Sequence, residues 1–385
     1  MALDIETYNS LLDVVRRFVD EELIPAEREV AAGDEIPARI VEQMRALGLF
    51  GLSIPNEYGG IGLEVFEEVG VMLELGRASP AFRSLIATNV GIGSQGIVID
   101  GTDAQKASYL PKIADGTLIG SFALTEPETG SDAGSVRTSA RRAGNVYVLN
   151  GTKRFITNAP EAGLFTVMAR TNPEIAGAGG VSAFIVEAGT PGLSIGKPEH
   201  KMGQHGTHVA DVIFEDCHIP VANLIGEREG QGFKTAMRVL DKGRLGIAAA
   251  CVGFAERILG ESIAYANDRI QFGKSIGEFQ LVQAMIADSR TEIIAAKAMV
   301  LETARAKDAG HDVGVEASAC KLFASEMVGR VADRNVQIHG GSGYVSDYPA
   351  ERHYRDVRLY RIYEGTSEIQ RLKIGRDTLR AARES

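Results

Sequence analysis

A chain of 385 residues, 44% hydrophobic and 24% charged, has room for two or three domains and a substantial core. Its net charge of -10 excludes a general nucleic-acid binder, which would carry a basic surface. Three scattered cysteines (Cys217, Cys251, Cys320) exclude a disulfide framework, no apolar run approaches the ~20 residues of a membrane helix, and MALDIETYNS has neither signal- nor transit-peptide form, so a cytoplasmic protein is expected.

The first 121 residues read as helical. Leu11, Leu12, Val15, Phe18 and Val19 recur at helical spacing, and Glu42 to Leu49 forms a further short helix closed by Gly48 and Gly51. Asn56 to Gly60 is turn chemistry, and apolar segments follow at Gly70–Gly76 and Ile86–Ile99. Gly91, Gly93 and Gly96 match a G-x-G-x-x-G pattern with Asp115 some way downstream. No strand precedes it and no long helix follows, so a dinucleotide fold is rejected.

Over residues 122–226 the period becomes alternating. Asn145 to Leu149 and Thr152 to Ile156 alternate around Asn150-Gly151, which predicts a hairpin because both residues accept positive φ. Leu164–Ala169, Val181–Val186 and Val209–Phe214 read as further strands, with a Gly/Ala-rich loop at Asn172–Gly180. His200, His205, His208 and His218 with Cys217 fit no zinc spacing, so no metal is expected.

Residues 227–385 return to the helical period. Long helices are predicted over Gly232–Asn267 and Val313–Ile338, another carries Val282, Met285, Ile286, Ser289, Ile293, Ala296 and Val300 on one face, and a last one follows Ser367. Ser367 and Gln370 have capping-box spacing, which puts Glu364 in a short loop ahead of that helix. Ile362 and Tyr363 would desolvate its carboxylate, whereas the helix N-terminus would stabilise the charge. Alone, this stretch reads as a solvated loop glutamate. Arg352, Arg355, Arg358 and Arg361, interspersed with Glu351, Asp356 and Glu364, read as an ion-paired or interface helix.

Three stretches carry more. Phe122 to Ser135 offers the hydroxyls of Thr125 and Ser131 with Gly130 between them. Arg269 to Lys274 is a basic, aromatic loop between helices. Gln337 to Gly343 ends a helix in glycines. Together, in this order and spacing, they resemble the acyl-CoA dehydrogenase family over nearly the whole chain. One signature runs from Gln337 through Gly343, Tyr344, Asp347 and Arg352 to Asp356, and the other covers Ala123 to Ser135, departing only at Thr129, where the family usually has a smaller residue or Asn.

The resemblance implies an α+β multidomain fold: an N-terminal helical domain, a middle β-barrel-like or sandwich domain and a C-terminal four-helix bundle, usually in a homotetramer. It implies FAD, with Phe122, Leu124, Thr125, Gly130, Ser131, Phe155, Ile156 and Thr157 on the flavin side; Phe155 stands where many members have Trp. Arg269, Gln271, Phe272, Phe279 and Gln280 match positions that reach the FAD of a neighbouring subunit, Gln337, Gly340 and Gly341 its adenosine diphosphate, and Thr366 and Glu368 complete that site, although relatives often have Gln in place of Glu368. Asp241, Arg244, Ser131 and Gly365 match residues that hold the acyl-CoA. Glu364 takes the place of the base that removes the α-proton, and Gly243 occupies a position where some relatives carry the base instead. The implied reaction converts an acyl-CoA, short to medium and straight or branched, to the trans-2-enoyl-CoA, with electron-transfer flavoprotein as acceptor. The alternatives are an oxygen-using, oxidase-like flavoenzyme, disfavoured because many such oxidases are longer, and a non-catalytic CoA-ester or flavin-binding scaffold.

Overall fold

The computed structural model describes residues 2–384. The N-terminal part contains α1 (Ile5–Phe18), α2 (Ile24–Gly33), α3 (Ala38–Ala46), α4 (Val65–Leu75), α5 (Pro80–Ala87), α6 (Gln95–Asp100) and α7 (Asp103–Ala114). Local chemistry sets the starts. Asp4 accepts the Thr7 amide at 2.8 Å, and Thr102 and Gln105 form a capping box ahead of α7. Ser79-Pro80 opens α5 with proline in the first turn, where its missing N–H costs nothing. The helix expected over Glu42–Leu49 instead starts at Ala38, after Pro37, and ends at Ala46; Leu49–Gly51 is a separate 3-10 turn because Gly48 at φ 69 breaks the helix. The G-x-G-x-x-G stretch is a wide helical turn joining α5 to α6, and Gly93 there lies against the Gly120 backbone, where a side chain would not fit.

The middle part holds β1 (Gly120–Ala123), β2 (Ser139–Ala143), β3 (Val146–Thr157), β4 (Leu164–Arg170), β5 (Val181–Glu187), β6 (Leu193–Ile195) and β7 (Val209–Pro220). They form one sheet in the order β1-β4-β2-β3-β7-β6, with β5 also on β4. The expected Asn150-Gly151 hairpin is not there. β3 runs straight through it, and the turn is Gly144-Asn145, closing Ala143 onto Val146. Asn150-Gly151 is instead a bulge against β7. The Asn150 amide oxygen accepts the Asp216 backbone N–H at 2.8 Å, its Nδ2 donates to Asp216 Oδ1 at 3.1 Å, and Gly151 at φ 143 passes Thr138 too closely for a Cβ. The conformational freedom that marks a turn is used to bend a strand.

The C-terminal part begins with the 37-residue α8 (Gly232–Asp268), followed by the small hairpin β8 (Ile270–Gln271) and β9 (Lys274–Ser275). Then come α9 (Gln280–Asp308), α10 (Gly314–His339), α11 (Ala350–Val357) and α12 (Ser367–Glu384). Helices α8, α9, α10 and α12 make the bundle, with α10 packed on the other three. The outer two parts share one core, which runs from Val15 and Phe18 through Phe82 to Phe254 and Val328, while the sheet has its own around Tyr147, Phe165 and Phe184. Gly253 lets α8 approach the Leu73 carbonyl of α4, so the N-terminal helices lie directly on the bundle. Charge reinforces the contact: buried Glu27 of α2 pairs with Arg257 of α8 and, at 2.9 Å, with Arg352 of α11. Among the described residues no helix is long and apolar enough to cross a membrane.

Candidate active site

Glu364 lies in the turn between α11 and α12. The helix is capped by Thr366, whose hydroxyl accepts the Ile369 amide at 3.3 Å, so the expected Ser367/Gln370 capping box is displaced. Ser367 is the first helical residue and its hydroxyl donates to Glu326 at 2.6 Å. Gln370 is fully buried and turns back to donate to the carbonyls of Glu364 (3.1 Å) and Gly365 (3.2 Å). Lys321 of α10, also fully buried, donates to the Gly365 carbonyl at 2.7 Å. These contacts hold Glu364 at φ 50 and Gly365 at φ 95. Glycine accepts that region freely; a glutamate held there stores roughly 1–3 kcal/mol of strain, which the clamp must offset.

The turn delivers the Glu364 side chain towards α8. Its Oε2 is shielded from solvent and has no hydrogen-bond partner, and it meets the helix at Gly243, where a built Cβ would overlap it. Burial pushes the Glu364 pKa up; Arg83, Lys321 and Arg244 act in the opposite direction without cancelling the rise. The result is a carboxylate with enhanced proton affinity and a free oxygen.

Glu364 also lines a cleft of about 530 Å³ between α5, the segment after β1, the end of β3 and α8. Phe122, Leu124, Thr125, Gly130 and Ser131 line one side and Phe155, Ile156 and Thr157 another; Arg244, Glu364 and Gly365 close it. The Thr125 segment is fixed to β3 from beneath. Arg154 N–H donates to the Thr125 carbonyl at 2.7 Å, and the fully buried Lys153 donates to the Leu124 carbonyl at 3.1 Å and to the Glu126 carboxylate at 2.8 Å. Glu126 also accepts the backbone N–H groups of Arg137 and Thr138 at 2.6 and 2.8 Å. Burial pulls the Lys153 pKa down to about 8, with Glu126 acting against it, while Lys153 and the surrounding donors lower that of Glu126 against its own burial. A register shift between Lys153 and Ile156 sets Phe155 at φ 57 and turns its half-exposed ring outward under the Arg154 guanidinium at 4.8 Å.

The remaining expected residues lie elsewhere. Asp241 is outside the cleft wall and pairs with Arg244. Thr366 serves as the helix cap, and Glu368 is exposed beside Arg371. Arg269, Gln271, Phe272, Phe279 and Gln280 belong to the β8–β9 hairpin and its flanks; Phe272 is 94% exposed. Exposed Gln337, Gly340 and Gly341 end α10 at the same end of the bundle, where Tyr265 stacks on His339 at 4.1 Å. Within one chain the expected cofactor residues, Thr366 and Glu368 at the start of α12 apart, therefore form two groups, one in the cleft and one on an exposed end.

Reading the sequence missed Arg83, Lys321 and the Lys153–Glu126 pair, and took Gln370 for a capping residue when it clamps the Glu364 turn. Arg83 had a signal: a charge inside the apolar run Pro80–Ile86, every residue of which is buried. Lys321 had none, since lysine in a long helix ordinarily faces solvent.

A flavin ring system needs apolar surface for its faces and donors and acceptors at its edges. Phe122, Leu124 and Ile156 supply the first, and Thr125, Ser131 and Thr157 the second, so the cleft fits such a group. The sequence matches the acyl-CoA dehydrogenase N-terminal domain over residues 6–117, the middle domain over 121–217 and the C-terminal domain over 230–379. It is 45% identical to an acryloyl-CoA reductase (NADH) of Anaerotignum propionicum over 96% of this chain and 94% of that one. It is 41% identical to the human mitochondrial short-chain specific acyl-CoA dehydrogenase over 98% of this chain and 91% of that one. The structure superposes on butyryl-CoA dehydrogenase from Megasphaera elsdenii with a TM-score of 0.94 at 35% identity, covering 98% of this chain and 100% of the other. With all three domains matched in order and the cleft formed where they meet, the chain belongs to the acyl-CoA dehydrogenase family of FAD-dependent oxidoreductases.

Proposed function

We propose that Glu364 is the base of an α,β-dehydrogenation that turns an acyl-CoA into the trans-2-enoyl-CoA. The observation that carries this is a glutamate on the cleft wall whose shielded Oε2 has no partner and whose proton affinity is raised by burial. FAD supplies the acceptor for the hydride that leaves the β-carbon. The chain's own residues do the rest. Phe122, Leu124, Thr125, Gly130, Ser131, Phe155, Ile156 and Thr157 hold the flavin side, and Arg244 with Asp241 behind it anchors the thioester ligand. No hydrogen bond to the Glu364 backbone N–H is found among the described residues, which leaves it free to polarise the thioester carbonyl. Gly365 keeps that approach open.

Arg269, Gln271, Phe272, Phe279, Gln280, Gln337, Gly340 and Gly341, with Thr366 and Glu368, complete the cofactor site of a neighbouring subunit in a homotetramer. The exposure of Phe272 and of Leu281 (81%) supports this, because such apolar surface is normally covered. Electron-transfer flavoprotein is the proposed acceptor. A caffeyl-CoA reductase–Etf complex subunit of Acetobacterium woodii is 41% identical to this chain over 94% of it. The proposed location is the cytoplasm.

The test is Glu364→Gln, assayed with ferricenium and with electron-transfer flavoprotein. Turnover should fall on the order of 1000-fold with FAD content unchanged. Undiminished turnover would remove Glu364 from the chemistry.

A further inference from the structure

The Gly/Ala-rich connection from β4 to β5, residues 172–180, reaches the cleft. Gly177 and Ala178 line it beside Asp132, Ala133 and Gly134, and the two stretches make one rim. Among the described residues no hydrogen bond runs directly from one stretch to the other. Arg170, the last residue of β4, joins them. Its Nε donates to the Val136 carbonyl at 2.9 Å and Nη2 to the Gly134 carbonyl at 2.9 Å, while Nη1 donates to the carbonyls of Ile175 (2.9 Å) and Gly177 (3.1 Å). One planar fork thus holds four carbonyls, two on each side of the rim, a geometry that the point charge of a lysine does not reproduce. The connection needs such a hold: residues 173–177 are exposed, and glycines at 177, 179 and 180 make the stretch costly to order.

What passes the rim follows from α8. Phe233, Met237, Leu240 and Arg244 line the cleft from one helix at spacings of four, three and four, hence on one face. At a rise of about 1.5 Å per residue this stripe is about 16 Å long, and it runs from Arg244, which acts on the Glu364 charge, back to the start of the helix. There Gly230 lies against the Gly179 carbonyl and Gly232 against the backbone of Ser182 and Ala183, so the rim faces the far end of the stripe. A thioester with its carbonyl at Glu364 and its CoA arm along this stripe leaves the cleft between the rim and α8.

We propose that Arg170 is a positioning residue for the CoA arm of the substrate. By tying Gly134 and Val136 to Ile175 and Gly177 it keeps the rim in the shape that grips the arm, so that binding need not order the connection. This rests on the cleft being the acyl-CoA dehydrogenase site. Arg170 itself is not on the cleft wall, so its loss acts on binding of the arm and leaves the chemical step.

The experiment uses the FAD-loaded enzyme with ferricenium and compares butyryl-CoA with the butyryl thioester of N-acetylcysteamine, which has the thioester and first amide but no further arm. Arg170→Met should raise KM for the CoA ester by about tenfold or more with kcat nearly unchanged, and KM for the truncated ester by less than about twofold. Arg170→Lys, which keeps the charge and loses the fork, should show the same selective rise to a smaller extent, and it decides alone if Arg170→Met fails to fold. A Cβ on Gly134 would stand 3.9 Å from that of Ala178, within disulfide reach, and the three native cysteines are buried. Gly134→Cys with Ala178→Cys in the Arg170→Met chain should therefore restore the low KM when oxidised and lose it again on reduction. An unchanged KM for the CoA ester in both Arg170 variants overturns the proposal, as does an equal rise for both esters, a loss of FAD, or a closed disulfide that restores nothing. A wild-type flavin that no acyl-CoA bleaches overturns the dehydrogenase reading itself, a separate outcome.

Discussion

Lys321 Nζ donates to the carbonyl oxygen of Gly365 across 2.7 Å, fixing a buried cation of α10 directly behind the turn that presents Glu364. The contact has two consequences. It holds a backbone that a glutamate would not adopt unaided, and it places positive charge beside the carboxylate.

Lys321→Met removes both. The hydrogen bond from a charged donor is worth about 1.5–3 kcal/mol, so kcat should fall by about 10- to 100-fold as the turn loosens. The rising limb of the pH–rate profile should also move to higher pH, because a cation that favours the ionised base is gone. A kcat loss with an unmoved limb would reduce Lys321 to a purely mechanical role.

Gly243→Ala separates activity from stability. Alanine is better than glycine inside α8 by about 1 kcal/mol, so thermal unfolding should be unchanged or slightly later. The new methyl group overlaps Glu364 Oε2, and the flexible side chain must yield. A displacement of about 1 Å at the base costs on the order of 100-fold in kcat. Full activity in a folded, FAD-loaded variant would show that the carboxylate need not approach α8.

The raised pKa of Glu364 fixes two signs. As a base it must be ionised, so kcat/KM should rise with pH around a midpoint above the ordinary glutamate value of 4.5. As a folded-state group with a raised pKa, its contribution to stability is complete below its unfolded value and is lost as pH rises through its folded one. Above the folded-state pKa the ionised carboxylate therefore opposes folding. Glu364→Gln should unfold at higher temperature than the wild type at pH 7, with the difference shrinking in acid, as calorimetry across pH would measure.

Lys153 and Glu126 form a buried pair, 0% and 5% exposed, beneath the segment that carries Thr125 and Ser131. Lys153→Met strands Glu126 among two backbone N–H donors. Stability should fall by about 3–5 kcal/mol in denaturant titration, and FAD should dissociate more readily. Unchanged FAD affinity would mean that the Thr125 segment holds its shape without the pair.

How much of this was legible in the sequence depended on the range over which each feature is determined. Periods of 3.6 and 2 are local, so the helix–sheet–helix order appeared directly. Boundaries that depend on partners did not. The strands Gly120–Ala123 and Leu193–Ile195 are too short to show a period, and Asn150-Gly151 has hairpin chemistry that only its pairing with Asp216 turns into a bulge. Thr366 displaced Ser367 as the cap because Ser367 found Glu326 on another helix.

By itself, the sequence determined the class of fold, the family with its FAD, and the place of Glu364 ahead of a helix, because each is written in contiguous residues or in motif order. Only the tertiary structure decided what surrounds that carboxylate. Arg83 comes from α5, Gly243 and Arg244 from α8, and Lys321 from α10, and packing alone brings them around one carboxylate. Proton affinity and charge compensation fall off over a few ångströms through a low-dielectric interior, so they are set by neighbours in space, wherever those neighbours stand in the chain.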